Sequence, residues 1–494
     1  MNRKKRLLLD TAVGFLKQIV VIICGFILPR YMLSSFGSSI NGLVSSIAHF
    51  LGFISLLEMG IGPVVQASLY GPLAKNDMKS ISEVVKSSER FFRKIAAIFL
   101  VYIAIMAVVF PVFINKEYEF LFSASLIVII SISTLAQYMF GATYQLLLNA
   151  DQRSYIQNLL SITATILNTV ICVVLMINGA SIHLVKLASA SVFVLRPIGQ
   201  LIYVKKHYDI DKEIILNGEP IKQKWNGFAQ HLSAVICGNI DVVLLTLFAS
   251  LSDVSIYSVY FLVINGITIL VMTLATGVEP FFGNILAKND TVGLKKAFSS
   301  VELITHIITT MIFTCTAILI VPFIKIYTSG ITDANYIQPI FGVILTMAYA
   351  SQCLRVPYFR IIKAAGHFKE TQSGSFITTA INAGVSTILI FKYGLEGIAI
   401  GTLVAMLYHT IYFVLYLSKN ILKRSTIYFV KYIVVDIIVF GLSLWLTNNI
   451  LLTKVNYWGF FIMAFKVFVI VLGISVICFS TVFWKTIKEV SKNQ

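Results

Sequence analysis

Runs of about 20 apolar residues follow one another along nearly the whole chain, separated by short polar segments. A helix needs about 20 apolar residues to cross the hydrocarbon core of a bilayer, so each run predicts a membrane span. The 494 residues are 57% hydrophobic and only 12% charged, whereas a soluble protein carries about 25% charged residues. We therefore predict an all-α, polytopic membrane protein with about 14 transmembrane helices.

The predicted spans fall into two lobes of six helices and a final pair. The N-lobe, residues 1–204, holds spans at roughly 11–29, 40–72, 95–114, 121–148, 157–177 and 182–204. A polar cytoplasmic linker, 205–226, leads to the C-lobe, 227–418, with spans at roughly 227–249, 254–287, 297–324, 337–362, 373–391 and 396–417. Residues 419–494 hold the last two spans, roughly 428–448 and 457–483, and a cytoplasmic tail.

Lys and Arg residues set the predicted orientation. The formal charge of +17 would suit a nucleic-acid partner, but the cations cluster in short loops on one side of the predicted spans, as membrane orientation requires. Only a few lie at the opposite ends: Arg30, Lys116, Lys325, Lys392 and Lys454. We therefore predict no nucleic-acid partner, and a multi-pass protein of the bacterial cytoplasmic membrane with both termini in the cytoplasm.

The two lobes carry traces of an internal duplication. The pentapeptide Leu-Ala-Lys-Asn-Asp occurs at residues 73–77 and 286–290, and the same offset relates Ile23-Cys24-Gly25 to Ile236-Cys237-Gly238. A fixed offset inside apolar segments predicts a repeated set of spans. Six spans per copy make the repeat parallel, with both copies entering from the same side, as in one class of secondary transporter.

The second and eighth spans are long enough to project into the cytoplasm, and each contains a proline that is expected to kink it. Both spans end at the repeated pentapeptide. We predict that these matching segments act as gates or hinges, although static kinks are equally compatible with the pattern. The residues concerned are Pro63, Pro280, Lys75, Asp77, Lys288 and Asp290.

Several basic residues fall within or at the ends of spans, where charge normally faces a cavity or a partner. We predict that some of them line a cationic cavity that binds an anionic substrate group, because arginine can hold phosphate through two parallel N–H donors. The alternative for those near span ends is an interfacial position in which the charged head reaches water. The candidates are Arg30, Lys186 and Arg196 in the N-lobe, and Arg355, Arg360 and Lys363 in the C-lobe.

Three buried carboxylates, Glu58, Asp241 and Glu279, are candidates for proton or sodium coupling or for counter-ions of the arginines, and we favour counter-ions. Asp436 and Lys466 are expected to pair between the last two spans. Histidines in or beside spans are expected to make hydrogen-bonded helix contacts, which we favour over the alternative of a proton relay. They are His49, His231, His306 and His409.

Enzyme and cofactor signatures are absent from the sequence. It has no P-loop, no glycine-rich dinucleotide turn and no His/Cys cluster with metal-ligand spacing. All six cysteines lie in apolar spans, which favours buried, reduced side chains over disulfides. The loops on the outer side are too short for a catalytic domain. We predict a protein that is not an enzyme and binds no metal or cofactor.

Three segments resemble a known family. They are Phe26-Ile-Leu-Pro-Arg-Tyr-Met, then Leu56-Leu-Glu-Met-Gly-Ile-Gly62 with the first pentapeptide, and Tyr358-Phe-Arg-Ile-Ile-Lys-Ala-Ala-Gly366. They are similar to the polysaccharide transporter family, the Wzx-type flippases of O-antigen and capsule repeat units. Its superfamily also holds the lipid II flippase and the multidrug and toxin extruders. The resemblance spans essentially the whole chain, with Arg30 where the family commonly keeps an arginine.

The resemblance implies a flippase that moves an undecaprenyl-pyrophosphate-linked oligosaccharide across the cytoplasmic membrane by alternating access, for capsule, exopolysaccharide or O-antigen-type polymer. It implies membrane lipid, H⁺ or Na⁺, and a polysaccharide polymerase or other assembly proteins as partners. The alternatives are a lipid II flippase and a cation-coupled exporter of drugs or metabolites. The exporter is less favoured, because the membrane part of the first span has no acidic residue.

Overall fold

The computed structural model describes residues 3–58, 60–114, 117–211, 213–214, 228–275, 277–288, 290–450, 452 and 455–492. Every regular element in these ranges is helical. Hydrocarbon offers no partner to backbone N–H and C=O groups, and a helix satisfies them within one segment. The predicted all-α membrane fold is confirmed. Most of the predicted linker, 205–226, lies outside the described ranges.

Sixteen α-helices are present in the described residues. The first eight are α1 (Arg3–Gly52), α2 (Ile61–Lys75), α3 (Met78–Val109), α4 (Phe120–Ala136), α5 (Ala142–Ala150), α6 (Ser154–Ile177), α7 (Ile182–His207) and α8 (Phe228–Phe248). The others are α9 (Leu251–Leu274), α10 (Val278–Ala287), α11 (Thr291–Tyr327), α12 (Pro339–Leu354), α13 (Val356–Ala364), α14 (Gln372–Leu417), α15 (Ile427–Thr447) and α16 (Tyr457–Lys492).

Twelve helical segments of the described chain are long and apolar enough to cross a bilayer. Two of them, Leu9–Glu58 and Gln372–Leu422, have 50 and 51 residues and are too long for one crossing. Each contains a glycine with positive φ, Gly37 at 80° and Gly394 at 53°, a conformation that L side chains rarely adopt. Divided at these glycines, the two segments give four spans, and the total agrees with the prediction of about 14.

The two halves of α14 pack against each other after the break at Gly394. Asn382 Nδ2 donates a hydrogen bond to Thr402 Oγ1 at 3.2 Å, and both side chains are buried. Since these residues flank Gly394 on either side, the chain reverses there and α14 is a tight antiparallel hairpin. A single glycine therefore replaces a loop between two spans.

The sequence predicted one long, proline-kinked helix at 40–72 and another at 254–287, and this prediction is wrong in detail. The first is interrupted by a 3₁₀ segment, Phe53–Glu58, and resumes as α2. The second stops at Leu274 and resumes as α10. Pro63 and Pro280 are each the third residue of the resuming helix. Proline is tolerated in a first turn because the N–H groups there have no intrahelical partner, so the prolines begin helices and do not bend them.

Each repeated pentapeptide lies where one helix ends and the next begins. Asp77 accepts a hydrogen bond from Ser80 N at 3.1 Å and caps α3, and Asp290 accepts one from Gly293 N at 2.8 Å and caps α11. The Ser80 side chain, followed by its backbone N–H, also holds the pKa of Asp77 below its usual value. The pentapeptides are helix junctions with N-caps.

Packing divides the chain into two compact units, Met1–Ser255 and Ile256–Gln494, which we call unit 1 and unit 2. The boundary differs from the predicted lobes, 1–204 and 227–418, because α8 packs in unit 1. Polar pairs join it to the 3₁₀ segment and to α1: His231 Nε2 lies 2.7 Å from Ser55 O, His49 Nδ1 lies 3.0 Å from Asn239 Oδ1, and Ser46 meets Thr246 at 2.7 Å. Hydrogen bonds between polar side chains commonly stabilise the packing of membrane helices.

Each unit has its own apolar core. In unit 1, Leu43, Phe99 and Leu126 have no measurable exposure. In unit 2, Phe298 and Tyr358 are equally inaccessible. Many large apolar side chains instead point outward, as a lipid-facing surface requires. Trp445 and Trp458, each 74% exposed, stand at the adjoining ends of α15 and α16, in the positions of interfacial aromatic anchors.

Candidate functional site

A polar cavity of about 360 Å³ lies inside unit 1 and contains two of the predicted site residues, Glu58 and Arg196. We call it the Arg196 cavity. Arg196 comes from the middle of α7, and Glu58 is the last residue of the 3₁₀ segment. The opposite wall is a π-helical turn, Gln137–Gly141, between α4 and α5. Such turns are rare and occur frequently at functional sites.

The polar groups of the cavity form a short network. Arg196 Nη2 donates to Gln137 Oε1 at 3.2 Å, and Gln137 Nε2 donates to Gln145 Oε1 at 3.0 Å. Tyr138 donates its hydroxyl to Glu58 Oε1 at 2.7 Å. The Nε of Arg196 is buried without a hydrogen-bond partner among the described residues. Arg196 therefore holds a donor that no protein group in the described part of the chain uses.

This arrangement favours an anion over a cation. Within the described residues, no carboxylate lies within ion-pair distance of Arg196, and Glu58 is engaged by Tyr138. A guanidinium in such a cavity with a free N–H can donate a hydrogen bond to a phosphate or carboxylate oxygen. Gln145, with Ser133 and Thr134 on the same lining, adds neutral hydrogen-bonding groups.

The other predicted site residues of unit 1 are elsewhere. Arg30 is half-buried on α1, and Lys186 is half-buried on α7. Lys186 precedes Arg196 by ten residues on the same helix, a separation of about 15 Å. Asp241 is 3% exposed on α8. None of the three lines the Arg196 cavity.

In unit 2 the predicted acid and bases meet as ion pairs. Glu279, on α10, lies 2.8 Å from Arg360 Nη1 and 3.3 Å from Lys363 Nζ, both on α13. Arg355 stands at the junction of α12 and α13, with Nη1 3.8 Å from the sulfur of Met406. Glu279 is thus placed to neutralise two of the predicted cations.

Unit 2 also contains two buried clusters: the pairing of Glu302 with Arg424 was missed by the sequence analysis, whereas His306 makes the hydrogen-bonded helix contact that was expected, with a partner that was not. Glu302, with no exposure, accepts two hydrogen bonds from Arg424 Nη2 at 2.7 and 2.8 Å. One turn along α11, His306 Nδ1 lies 2.7 Å from Asp436 Oδ2. The expected pairing of Asp436 with Lys466 is wrong, because Asp436 turns inward to α11 while Lys466 is exposed. The four-residue spacing of Glu302, His306 and Thr310 was the available signal.

A second cavity of unit 1, of about 720 Å³, was not predicted either. It lies between α3, α5 and the end of α7, and its charged lining includes Lys86, Arg90 and Lys205 together with Glu89 and Asp209. Burial and a hydrogen bond to Asp151 raise the pKa of Tyr208, which also lines it. The positive and negative side chains of the lining nearly balance, so this cavity favours neither an anionic nor a cationic ligand.

Comparisons with known proteins give a fold. No protein-family model matches the sequence, and neither does any curated protein. A structure of the lipid II flippase MurJ in an inward closed conformation is similar, with a TM-score of 0.73 and 16% identity over 96% of this chain and 99% of that one. An outward-facing multidrug resistance MATE family transporter of the MOP superfamily gives 0.54 and 14%, over 84% and 97%. The Vibrio cholerae MATE transporter VcmN in the bent form gives 0.54 and 12%, over 84% and 96%.

At these identities the likeness is one of architecture. It extends over nearly the full length of the lipid II flippase and this chain, whereas the MATE structures leave about a sixth of this chain unmatched. The protein thus shares its fold with the lipid II flippase structure and, over a smaller part of the chain, with the MATE transporter structures.

Proposed function

We propose that this chain is a flippase that moves an undecaprenyl-pyrophosphate-linked oligosaccharide repeat unit from the inner to the outer leaflet of the bacterial cytoplasmic membrane by alternating access. The product serves assembly of a capsule, exopolysaccharide or O-antigen-type polymer. Both termini lie in the cytoplasm in this proposal. The predicted cationic cavity is part of this proposal.

The observation that carries the proposal is the fold match with the lipid II flippase, which takes in 96% of this chain and 99% of the other. Proteins of the extruder type match less of the chain and with lower TM-scores. A flippase of a lipid-linked substrate is therefore a closer architectural relative than a drug exporter. The segments around Arg30 and Tyr358 that resemble polysaccharide transporters point to a sugar repeat unit as the cargo.

The chemistry of the Arg196 cavity supports an anionic headgroup. A pyrophosphate offers several oxygen acceptors, and Arg196 presents a buried Nε with no partner in the described chain. The neighbouring amides of Gln137 and Gln145 suit phosphate or sugar hydroxyls equally. A cation-coupled exporter would use Glu58 as an open carboxylate, but the hydroxyl of Tyr138 occupies one of its oxygens.

The test is replacement of Arg196 and of Arg30 by Ala, each in a strain that lacks its own copy of the gene. We expect surface polymer to fall at least about tenfold in Arg196→Ala, since one charge-assisted hydrogen bond contributes about 1.5–3 kcal/mol. Arg30 lies outside this cavity, and a similar fall in Arg30→Ala is expected if it makes a second contact with the anionic substrate, as the sequence predicts. The amount of protein in the membrane should be unchanged. Polymer is measured by immunoblot and protein by an epitope tag.

Lys206→Ala is the matched control, because Lys206 is an exposed cation on the same helix as Arg196. It should leave polymer at the wild-type level. Normal polymer in both arginine variants would contradict the proposal. A lipid II flippase is distinguished by a second strain, depleted of its own lipid II flippase: rescue of growth there by this chain would replace the sugar repeat unit with lipid II as the substrate.

A further inference from the structure

A ladder of polar side chains runs along one face of α11 inside unit 2. Glu302, His306 and Thr310 follow at intervals of four residues, so they lie one above another on the helix. All three are buried, with exposures of 0%, 1% and 8%. The neighbouring α15 is otherwise apolar over its central part, and it contributes Asp436 to this face.

Asp436 is hydrogen-bonded to two of these side chains, His306 and Thr310. His306 Nδ1 lies 2.7 Å from its Oδ2, and Thr310 donates its hydroxyl to Oδ1 at 2.6 Å. Asp436 is the tenth of 21 residues in α15, about 14 Å along the axis from the first. The pair therefore stands near the middle of a membrane span, where a net charge is costly and ionisable groups are usually functional.

The surrounding ionisable groups leave this pair without a counter-ion. Glu302 is already paired with Arg424, and it also accepts a hydrogen bond from Tyr358. Tyr432 stacks on the imidazole, with ring centres 4.7 Å apart. Lys431 and Lys466 are exposed, and Cys478 packs in the adjoining apolar cluster. In the described part of unit 2, no cation lies within ion-pair distance of Asp436 other than His306 itself.

One atom of the pair is unsatisfied. The Nε2 of His306 is buried and has no hydrogen-bond partner among the described residues. An unpaired buried polar atom costs about 1–3 kcal/mol. This nitrogen is, however, the atom through which a proton can reach or leave the imidazole.

We propose that His306 and Asp436 form a proton-binding site that couples proton movement to transport by this chain. The inference rests on the proposed function in naming the coupling ion of the same carrier. Binding of one proton converts a neutral imidazole and a carboxylate, with net charge −1, into an imidazolium–carboxylate pair with net charge zero. The proton is taken from water on one side of the membrane and returned to water on the other, and no covalent bond between heavy atoms changes.

The charge change supplies a driving force for rearrangement. Hydrocarbon tolerates the pair at net charge zero and penalises it at −1. A protonated pair can therefore remain sealed between α11 and α15, whereas a deprotonated pair favours any conformation that admits water to it. Thr310 and Tyr432 position the two groups and do not exchange protons in this scheme.

The test is proton uptake by the purified full-length protein in detergent, measured by potentiometric titration between about pH 5 and 8, where imidazoles titrate. We expect Asp436→Asn, alone and combined with His306→Gln, to bind about one proton fewer per chain than the wild type over this range, because hydrocarbon penalises an imidazolium that has no counter-ion. Asp436→Asn keeps an acceptor for Thr310, so its thermal stability checks that the fold survives. His409→Gln is the matched control: His409 is in the same unit, and its ring packs on Phe413. In a protein that already carries His409→Gln, adding Asp436→Asn should still remove about one bound proton per chain.

Uptake equal to the wild type in both variants would overturn the proposal, whatever happens to polymer. Loss of the proton with normal surface polymer in Asp436→Asn cells would overturn the coupling role. Loss of both supports it. The proposed function and the proton site can fail separately. If Arg196→Ala and Arg30→Ala cells make normal polymer while Asp436→Asn still binds one proton fewer, the proposed substrate is wrong and the proton site is retained.

Discussion

Glu302 and Arg424 are the most tightly paired ions in the described part of unit 2. The carboxylate has no exposure, and the guanidinium is 11% exposed and donates twice to it. Arg424 also lies over the rings of Phe298 and Tyr428, with 5.0 Å to each centre. The pair fastens the segment before α15 to α11, next to the proposed proton site.

Arg424→Met should destabilise the protein by about 3–5 kcal/mol, because it leaves the buried carboxylate of Glu302 uncompensated. Glu302→Gln combined with Arg424→Met should recover most of the loss, since neither charge then remains. Thermal unfolding in detergent measures both. Lys419→Met, at an exposed position nearby, should change little. Equal instability of the single and double variants would show that the charge pair is not the cause.

Single residues were the part of the site that sequence could locate least well. Glu58 and Arg196 were both identified as candidates, but their meeting in one cavity depends on where α7 passes the 3₁₀ segment. Asp436 was assigned the wrong partner because hydropathy gives the depth of a residue and not the direction in which it points. His306 was identified as a helix contact, and its carboxylate neighbour is 130 positions away.

The helix junctions at residues 73–77 and 286–290 show what sequence can give at the scale of elements. Their identity in both copies predicted equivalent structures, and each aspartate caps the following helix. What the pattern did not give was the position of the breaks, since Phe53–Glu58 is as apolar as a continuous span.

Asp290→Ala should weaken the first turn of α11 by about 1 kcal/mol, because the N–H of Gly293 loses its acceptor. Asp290→Asn should restore most of that stability, since the amide oxygen can accept the same bond. Hydrogen exchange of the α11 amides reports the change, with the first turn of α16 as an internal reference. Exchange in the Ala variant no faster than in the Asn variant would remove the capping role.

At the scale of the molecule, apolar run length predicted the all-α membrane class correctly, and the number of spans approximately. Run length could not predict the packing units. The hydrogen bond that joins α8 to α1 is made by Ser46 and Thr246, two small polar side chains that hydropathy does not single out. The charge bias predicts an orientation with both termini in the cytoplasm. That orientation has a direct consequence for chemical labelling.

In a variant with all six cysteines replaced by Ala, Lys392→Cys should react with a membrane-impermeant maleimide on intact cells or spheroplasts. Lys206→Cys should react only after the membrane is opened. Both positions are exposed in the structure, so access depends on the side of the membrane alone. The reverse labelling pattern would invert the topology and with it the direction of transport.

The reversal at Gly394 also bears on how the chain enters the bilayer. Only one glycine separates the two halves of α14. No linker is therefore available that would let the first half insert into the bilayer before the second half emerges. The two halves must partition into lipid together, as a preformed hairpin. That order is favourable, since the side-chain amide of Asn382 donates to the hydroxyl of Thr402 and would lose this partner if the first half entered alone. Biogenesis of this region is therefore concerted, and a longer connection at Gly394 would slow or misdirect it.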